Sequence, residues 1–143
     1  MSKTITARDL QINLEALNED GLFKWLIASF LMGKRIQGEI AVRAYRVIVG
    51  KHQHDTPRKL AGCSHRQLVA MLGEAHYVRY DESTAQRLLA LANKLNLEYA
   101  GRVMNMLEAS ANLSEFEKRL ASFEGIGPKT VEIFMREAVR VIS

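Results

Sequence analysis

The stretch of sequence that decides the fold reads FEGIGPKT and runs from Phe123 to Thr130. Gly125 can take backbone angles that a side chain forbids, so we expect it to end the helix that precedes it. Pro128 suits the first position of a following helix, because its missing N–H would have no partner there. The stretch therefore predicts two helices joined by a tight turn.

Both flanks of this turn carry one apolar stripe at helical spacing. The stripe consists of Phe116, Leu120 and Phe123 before the turn, and of Val131, Phe134, Ala138 and Val141 after it. Ser114 is expected to cap the first helix, with Glu117 completing a capping box. Ile126, between the two glycines, is expected to enter the core. These patterns predict a packed pair of helices over about 114–142.

The start of the second helix has the features of an anion site. Gly127 leaves room for another molecule to approach the backbone, and the first N–H groups of a helix have no partner within it. Lys129 adds a positive charge beside them. Helix N-termini of this kind bind anions through their N–H groups and dipole.

The rest of the chain also has helical spacing, and no window alternates polar and apolar residues long enough to indicate a sheet. The expected helix starts are a cap at Thr6 or a neighbour, Leu22, Glu39, Thr56–Pro57, a cap at Ser64, a cap at Ser83 or Thr84, and Glu98. The expected ends include Asp20–Gly21, Gly33, Gly50, Gly73 and Ala111. We predict one all-α domain over residues 1–143, a compact orthogonal bundle of at least six helices.

Composition sets further bounds. The chain has 143 residues, a net charge of +4 and a pI near 9.4, which permits a polyanionic partner without requiring one. The single cysteine, Cys63, excludes an intramolecular disulfide and any four-cysteine metal site. The most apolar stretch, Phe23–Met32, is too short to span a bilayer. We expect a cytoplasmic protein, associated with the nucleoid if the source is bacterial.

The residues from Phe123 to Thr130 resemble the helix–hairpin–helix signature, and specifically the hairpin of the endonuclease III group of base-excision-repair DNA glycosylases. Phe23–Leu31 is similar to the apolar helix that opens that family's six-helix barrel, and Thr84–Leu89 to its helix before the hairpin helices. The likeness covers roughly Gly21–Ser143. It implies a protein that binds duplex DNA with little sequence preference, because hairpin N–H groups reach phosphates rather than base edges.

The resemblance also implies site residues. The expected DNA contacts are Gly125, Ile126, Gly127, Lys129, Thr130 and Lys34. Lys34 stands where the family has an intercalating glutamine. The carbonyls of Ala121, Phe123 and Ile126 are expected to hold a monovalent cation. No iron–sulfur cluster is expected, because the family's C-terminal cysteines are absent.

Catalysis is the open question. Bifunctional members of the family carry their Schiff-base lysine at the position of Lys129, which would need a depressed pKa. The family's aspartate, on the loop after the second hairpin helix, has no counterpart here. Glu132 and Glu137 lie on the helix itself and are expected to be solvated. We therefore predict DNA binding; the alternatives are a glycosylase or abasic-site lyase using Lys129, and a protein-binding module in which Gly125 and Gly127 contact the partner.

Two other groups of residues carry less information. His52 and His54 offer two imidazoles to a metal, but no third ligand has suitable spacing. The run HYVRY, from His76 to Tyr80, is expected to form a loop. It either stacks on bases and touches phosphate, or packs beneath the helices.

Overall fold

The computed structural model describes residues 4–142, and every regular element in that range is helical. Two 3₁₀ turns, Arg8–Leu10 and Glu15–Leu17, come first. Eight α-helices follow: α1 (Glu19–Met32), α2 (Gly38–Tyr45), α3 (Pro57–Ala61), α4 (His65–Glu74), α5 (Asp81–Tyr99), α6 (Val103–Glu108), α7 (Leu113–Ala121) and α8 (Pro128–Ile142). A π-helical segment, Arg46–Lys51, continues α2. For the described residues the all-α prediction is confirmed.

Helix α1 is the centre of the core, as its apolar sequence predicts. Its residues from Gly21 to Leu31 are buried except Lys24, so the helix is covered on nearly every side. Trp25 is fully buried, and its Nε1–H donates to the carbonyl of Phe134 at 3.1 Å. That bond ties α1 to α8, which satisfies the one polar group of a large apolar side chain.

The starts of α3 and α4, which depend on local hydrogen bonds, are predicted correctly. The Thr56 hydroxyl accepts from the Lys59 N–H at 3.1 Å, and Pro57 is the first residue of α3. Ser64 caps α4 in a reciprocal capping box with Gln67. These residues carry their own N-terminal signal, which needs no distant contact.

The predicted first helix is wrong. Leu10 and Leu14 are buried, but Gln11, Ala16 and Leu17 have positive φ angles of 58°, 55° and 54°. The Thr6 hydroxyl accepts from the Asp9 N–H at 3.1 Å, yet only one 3₁₀ turn follows. The sequence has leucines at helical spacing here, Leu10, Leu14 and Leu17, but the segment that carries them wraps over the core in single turns rather than as a helix.

The prediction that Gly21 ends a helix is wrong, because Gly21 lies inside α1. The Asn18 side chain accepts from the Gly21 N–H at 2.9 Å and caps the helix one turn earlier. A Cβ at Gly21 would lie 1.7 Å from the carbonyl oxygen of Asn13. The glycine is there because the N-terminal segment crosses α1 at this point, a contact that local sequence does not reveal.

Three further boundaries are corrected. Helix α5 begins at Asp81, after Tyr80 in a left-handed conformation, so neither Ser83 nor Thr84 caps it. The helix predicted from Glu98 to Ala111 is broken at Ala100 and Gly101, whose φ angles are 54° and 75°. The Gly50 boundary is also wrong, because the π-helical segment continues to Lys51.

The pair α7 and α8 forms as predicted, with different ends. Asn112 caps α7 by accepting from the Glu115 N–H, so the capping box expected at Ser114 is wrong. Helix α7 already ends at Ala121, four residues before Gly125. The buried face of α8 is Thr130, Ile133, Phe134, Glu137 and Ala138, whereas Val131 and Val141 of the predicted stripe are only partly buried.

Candidate functional site

Residues 122–127 connect α7 to α8 and are called the α7–α8 loop below. Gly125 has a φ of 85°, the left-handed conformation that favours glycine. A Cβ on it would lie 2.6 Å from Cδ of Arg87 and 3.1 Å from the Phe30 ring. Gly125 is therefore required by packing within the chain, and the space beside it is filled by the protein itself.

Gly127 differs from Gly125, because a Cβ placed on it would meet no atom within 4 Å. Its carbonyl accepts from the Val131 N–H at 3.1 Å and so begins α8. Within residues 4–142, the backbone N–H groups of Gly127, Lys129 and Thr130 donate to no protein acceptor. An open approach and free donors thus coincide at the start of a 15-residue helix.

A cavity of about 440 Å³ opens on this side of the loop, and we call it the basic cavity. It is lined by Gly33, Lys34, Arg87, Gly125, Ile126, Gly127, Pro128, Lys129 and Thr130. All six residues predicted to contact DNA are among them. Of these described lining residues, three are cationic and none carries a carboxylate, so the cavity suits an anion.

Lys34 is turned inward, toward the loop. Its ammonium donates to the Gly125 carbonyl at 2.6 Å and lies 4.6 Å from the centre of the Phe30 ring. Burial lowers the pKa of Lys34, and the nearby Arg87 guanidinium lowers it further. Lys129, in contrast, has an exposed side chain at the first turn of α8.

Arg87 is the residue of this site that sequence reasoning missed. It lies on α5, far along the chain from the loop, and its side chain crosses Gly125. Glu124 Oε1 is 4.0 Å from its Nε, a pair too exposed to contribute much stability. The sequence offers only a weak signal, a cation beside the buried residues Thr84 and Leu88.

One of the three carbonyls that were expected to hold a monovalent cation already accepts a hydrogen bond. The Phe123 carbonyl accepts from the Ile126 N–H at 3.0 Å. The neighbouring Gly125 carbonyl accepts from the Lys34 ammonium, so this loop already has a cation on a carbonyl. The ion expected at Ala121, Phe123 and Ile126 stays a prediction.

The prediction that both carboxylates on α8 are solvated is wrong for one of them. Glu137 was expected to be solvated, but it is buried, and its Oε1 accepts from the Ala7 N–H at 2.9 Å. It anchors the N-terminal segment and lies away from the loop. Glu132 is exposed, and it lines a second cavity of about 680 Å³ on the other side of the loop, together with Glu117 and Lys118.

The structure gives different outcomes for the two remaining groups of candidate residues, the His52 and His54 pair and the run from His76 to Tyr80. His52 Nε2 lies 2.8 Å from Glu74 Oε1, and no group of three or more metal-ligating side chains occurs between residues 4 and 142. In the loop before α5, Tyr77 is fully buried, whereas Val78 and Tyr80 are exposed. Packing beneath the helices is thus confirmed for Tyr77, and contact with nucleic acid stays a prediction for its neighbours.

Comparison with protein-family models, with curated proteins and with solved structures found no match to this chain. The resemblance carried by Phe123–Thr130 therefore stays a prediction. None of the helices described between residues 4 and 142 is long and apolar enough to cross a membrane.

Proposed function

We propose that the chain binds the phosphate backbone of duplex DNA at the basic cavity, with α7, the α7–α8 loop and α8 acting as a helix–hairpin–helix. The observation that carries this proposal is the open face of Gly127. It leads to the free N–H groups that begin α8 and to the Lys129 side chain beside them. A phosphate oxygen needs hydrogen-bond donors and positive charge, and both are found there.

The charge distribution around the loop gives the bound DNA an orientation. The basic cavity is lined by Lys34, Arg87 and Lys129, with Glu124 lying 4.0 Å from Arg87. The second cavity is lined by two carboxylates and one cation, Glu117, Glu132 and Lys118, and so has the opposite net charge. A strand of phosphates is attracted by the first and repelled by the second. The backbone is therefore expected to run along the Arg87 side of the loop.

Recognition by backbone N–H groups carries no information about base sequence. Phosphates are identical at every step, so such contacts position a protein on the duplex without selecting a site. The affinity is expected to be modest and largely independent of sequence, and to fall with salt as counterions are released.

The proposed function is tested by the salt dependence of duplex binding, measured by fluorescence anisotropy. Neutralisation of two to three phosphates gives a slope of log affinity against log salt of about −2 to −3, because each contributes about −0.9 on B-form DNA. Between 50 and 200 mM salt the affinity should fall about 10- to 40-fold. An affinity that does not change with salt would contradict the proposal.

A matched pair of lysines locates the contact. Lys129→Gln removes a cation from the basic cavity, and Lys118→Gln removes an equally exposed one from the opposite side. The first substitution should make the slope shallower by about 0.9 and the second should leave it unchanged. Equal effects, or a larger effect at Lys118, would favour another surface, including the protein-binding alternative.

Base excision is not part of this proposal. The family's chemistry needs a carboxylate near the departing base, and the described residues that line the basic cavity include none. We expect the purified chain to bind duplexes that contain damaged bases and to release no base from them. Excision of any base would overturn this point.

A further inference from the structure

Two large apolar side chains are exposed on the loop between α4 and α5. Val78 is 64% exposed and Tyr80 is 47% exposed. The guanidinium carbon of Arg79, which stands between them in the sequence, lies 5.0 Å from the centre of the Tyr80 ring. We call residues 78–80 the loop tip. Exposed apolar residues are ordinary when they are scattered singly, so two of them within three positions need a physical explanation.

The backbone around the loop tip is held in place by its neighbours. Tyr77 is fully buried, its N–H donates to the Leu72 carbonyl at 2.8 Å, and its hydroxyl accepts from the Thr84 hydroxyl at 3.4 Å. His76 and Tyr80 have left-handed conformations, with φ angles of 63° and 65°. Tyr77 therefore fixes the loop against the core while the loop tip is exposed. A loop that is ordered in advance loses less conformational freedom when it binds a partner.

The second cavity, beside α7 and α8, has the character that complements the loop tip. Its volume of about 680 Å³ is within the range of pockets that bind ligands, roughly 300–1,000 Å³. Its apolar lining consists of Ala121, Ile126, Pro128 and Val131. The exposed carboxylates of Glu117, on α7, and Glu132, on α8, line the same cavity. An apolar surface flanked by carboxylates suits a partner that carries apolar side chains around a cation.

These two carboxylates are not paired within the described part of the chain. Glu115, also on α7, pairs with Arg119 at 3.1 Å, whereas Glu117 and Glu132 form no ion pair with a described residue. A guanidinium from another molecule would therefore neutralise their charge without displacing an existing partner. Charges at an exposed rim contribute more to the choice and orientation of a partner than to affinity.

We propose that the loop tip of one copy of this chain binds in the second cavity of another copy. Val78 and Tyr80 cover the apolar lining, and the Arg79 guanidinium lies between Glu117 and Glu132. The complementarity selects this occupant, because the loop tip brings one cation to two carboxylates and two apolar side chains to an apolar lining. The inference goes beyond DNA binding and does not depend on it, since neither surface includes a cation of the basic cavity.

The size of the two surfaces sets the strength of the contact. Stable interfaces bury about 1,200–2,000 Å², and a loop tip of three residues covers less than that. We therefore expect weak association that increases with protein concentration. Each copy carries both surfaces, so wild-type copies pair reciprocally or continue into larger assemblies, depending on the angle between them.

The first experiment is sedimentation velocity of the full chain without DNA, up to roughly 1 mM, the weak end of specific association. A tip variant, Val78→Ser with Tyr80→Ser, keeps the second cavity. A cavity variant, Glu117→Lys with Glu132→Lys, keeps the loop tip. All four positions are exposed, so both variants should keep the wild-type helical spectrum. Leu97→Ser is the matched control, because it removes an apolar side chain that is 86% exposed elsewhere on α5.

The wild type and Leu97→Ser should associate as the concentration rises, and each of the two variants should associate at least about tenfold more weakly. An equimolar mixture of the two variants should form a one-to-one pair, because one intact loop tip then meets one intact cavity. The proposal is overturned by a wild type that stays monomeric to roughly 1 mM. It is equally overturned by a variant that associates like the wild type, or by a mixture that associates no more tightly than its components.

The second experiment locates the contact by NMR, again without DNA, so its outcome is independent of the proposed function. The isotope-labelled tip variant, titrated with the unlabelled cavity variant, should show shifted amide signals at Ile126 and Val131. With the labels exchanged, the shifted signals should belong to residues 78–80. Shifts confined to other surfaces in either titration would overturn the proposal.

Discussion

Substitution of Gly125 by alanine tests whether the α7–α8 loop is held by packing inside the chain. A non-glycine residue at a φ of 85° costs about 1–2 kcal/mol through its own backbone. The new Cβ would also lie 2.6 Å from Cδ of Arg87 and 3.1 Å from the Phe30 ring. Arg87 can swing outward, but the Phe30 ring is fully buried and cannot. The cost of strain alone is therefore a lower bound.

The expected shift follows from the size of the chain. An unfolding entropy of about 2.1 cal/mol/K per residue gives about 0.3 kcal/mol/K for 143 residues. Gly125→Ala should then lower Tm by at least about 3–7 °C. Thermal unfolding followed by circular dichroism measures this directly.

Gly127→Ala is the matched control, because the new Cβ enters open space. Its effect on stability should stay within about 1 kcal/mol, or roughly 3 °C. If Gly125→Ala melts at the wild-type temperature, or if both variants fall equally, the account of why the two glycines differ is wrong.

Two further predictions concern the core. Trp25→Phe removes the donor to the Phe134 carbonyl and should lower the free energy of unfolding by about 1–3 kcal/mol. Urea denaturation followed by circular dichroism measures this change, and an unchanged midpoint would show that the bond does not tie α1 to α8. Burial raises the pKa of the Cys63 thiol, so its reaction with a thiol reagent should be slow near neutral pH and faster as the pH rises. A reaction rate at neutral pH equal to that of the urea-unfolded chain would contradict this prediction.

Much of the fold follows from signals that lie within a few residues. The caps at Thr56 and Ser64 bond to N–H groups three residues later, so the sequence contains both partners. The apolar run of α1 is long enough to predict a core helix by itself. A local signal is not always decisive, because α7 is capped by Asn112 rather than by the predicted Ser114.

Errors arise where a distant contact decides the local structure. Gly21 has the composition of a helix breaker, but it is there because Asn13 crosses α1. The break between α5 and α6 is supported by Glu19, whose carboxylate accepts from the N–H groups of Val103 and Met104 at 2.7 and 2.9 Å. No periodicity between residues 98 and 111 contains that information.

Some residues of the site could be predicted from the local sequence, and others are placed there by contacts between distant parts of the chain. The α7–α8 loop and Lys129 are neighbours in sequence and could be predicted together. Lys34 was predicted only through a family resemblance, and Arg87 was not predicted, because both reach the loop by packing of α1 and α5 against it. The buried role of Glu137 was missed for the same reason, since its partner Ala7 lies 130 residues away.

The most direct test of the account is the affinity of Gly127→Val for duplex DNA. The branched side chain would occupy open space on the free protein, and an extended residue before Pro128 accommodates it, so the helical spectrum and Tm should be nearly unchanged. It would also stand where a phosphate must approach the N–H groups of α8, so anisotropy titration should show a loss of at least about tenfold, or roughly 1.4 kcal/mol. A folded Gly127→Val protein that binds DNA as tightly as the wild type would contradict the claim that this loop is the contact.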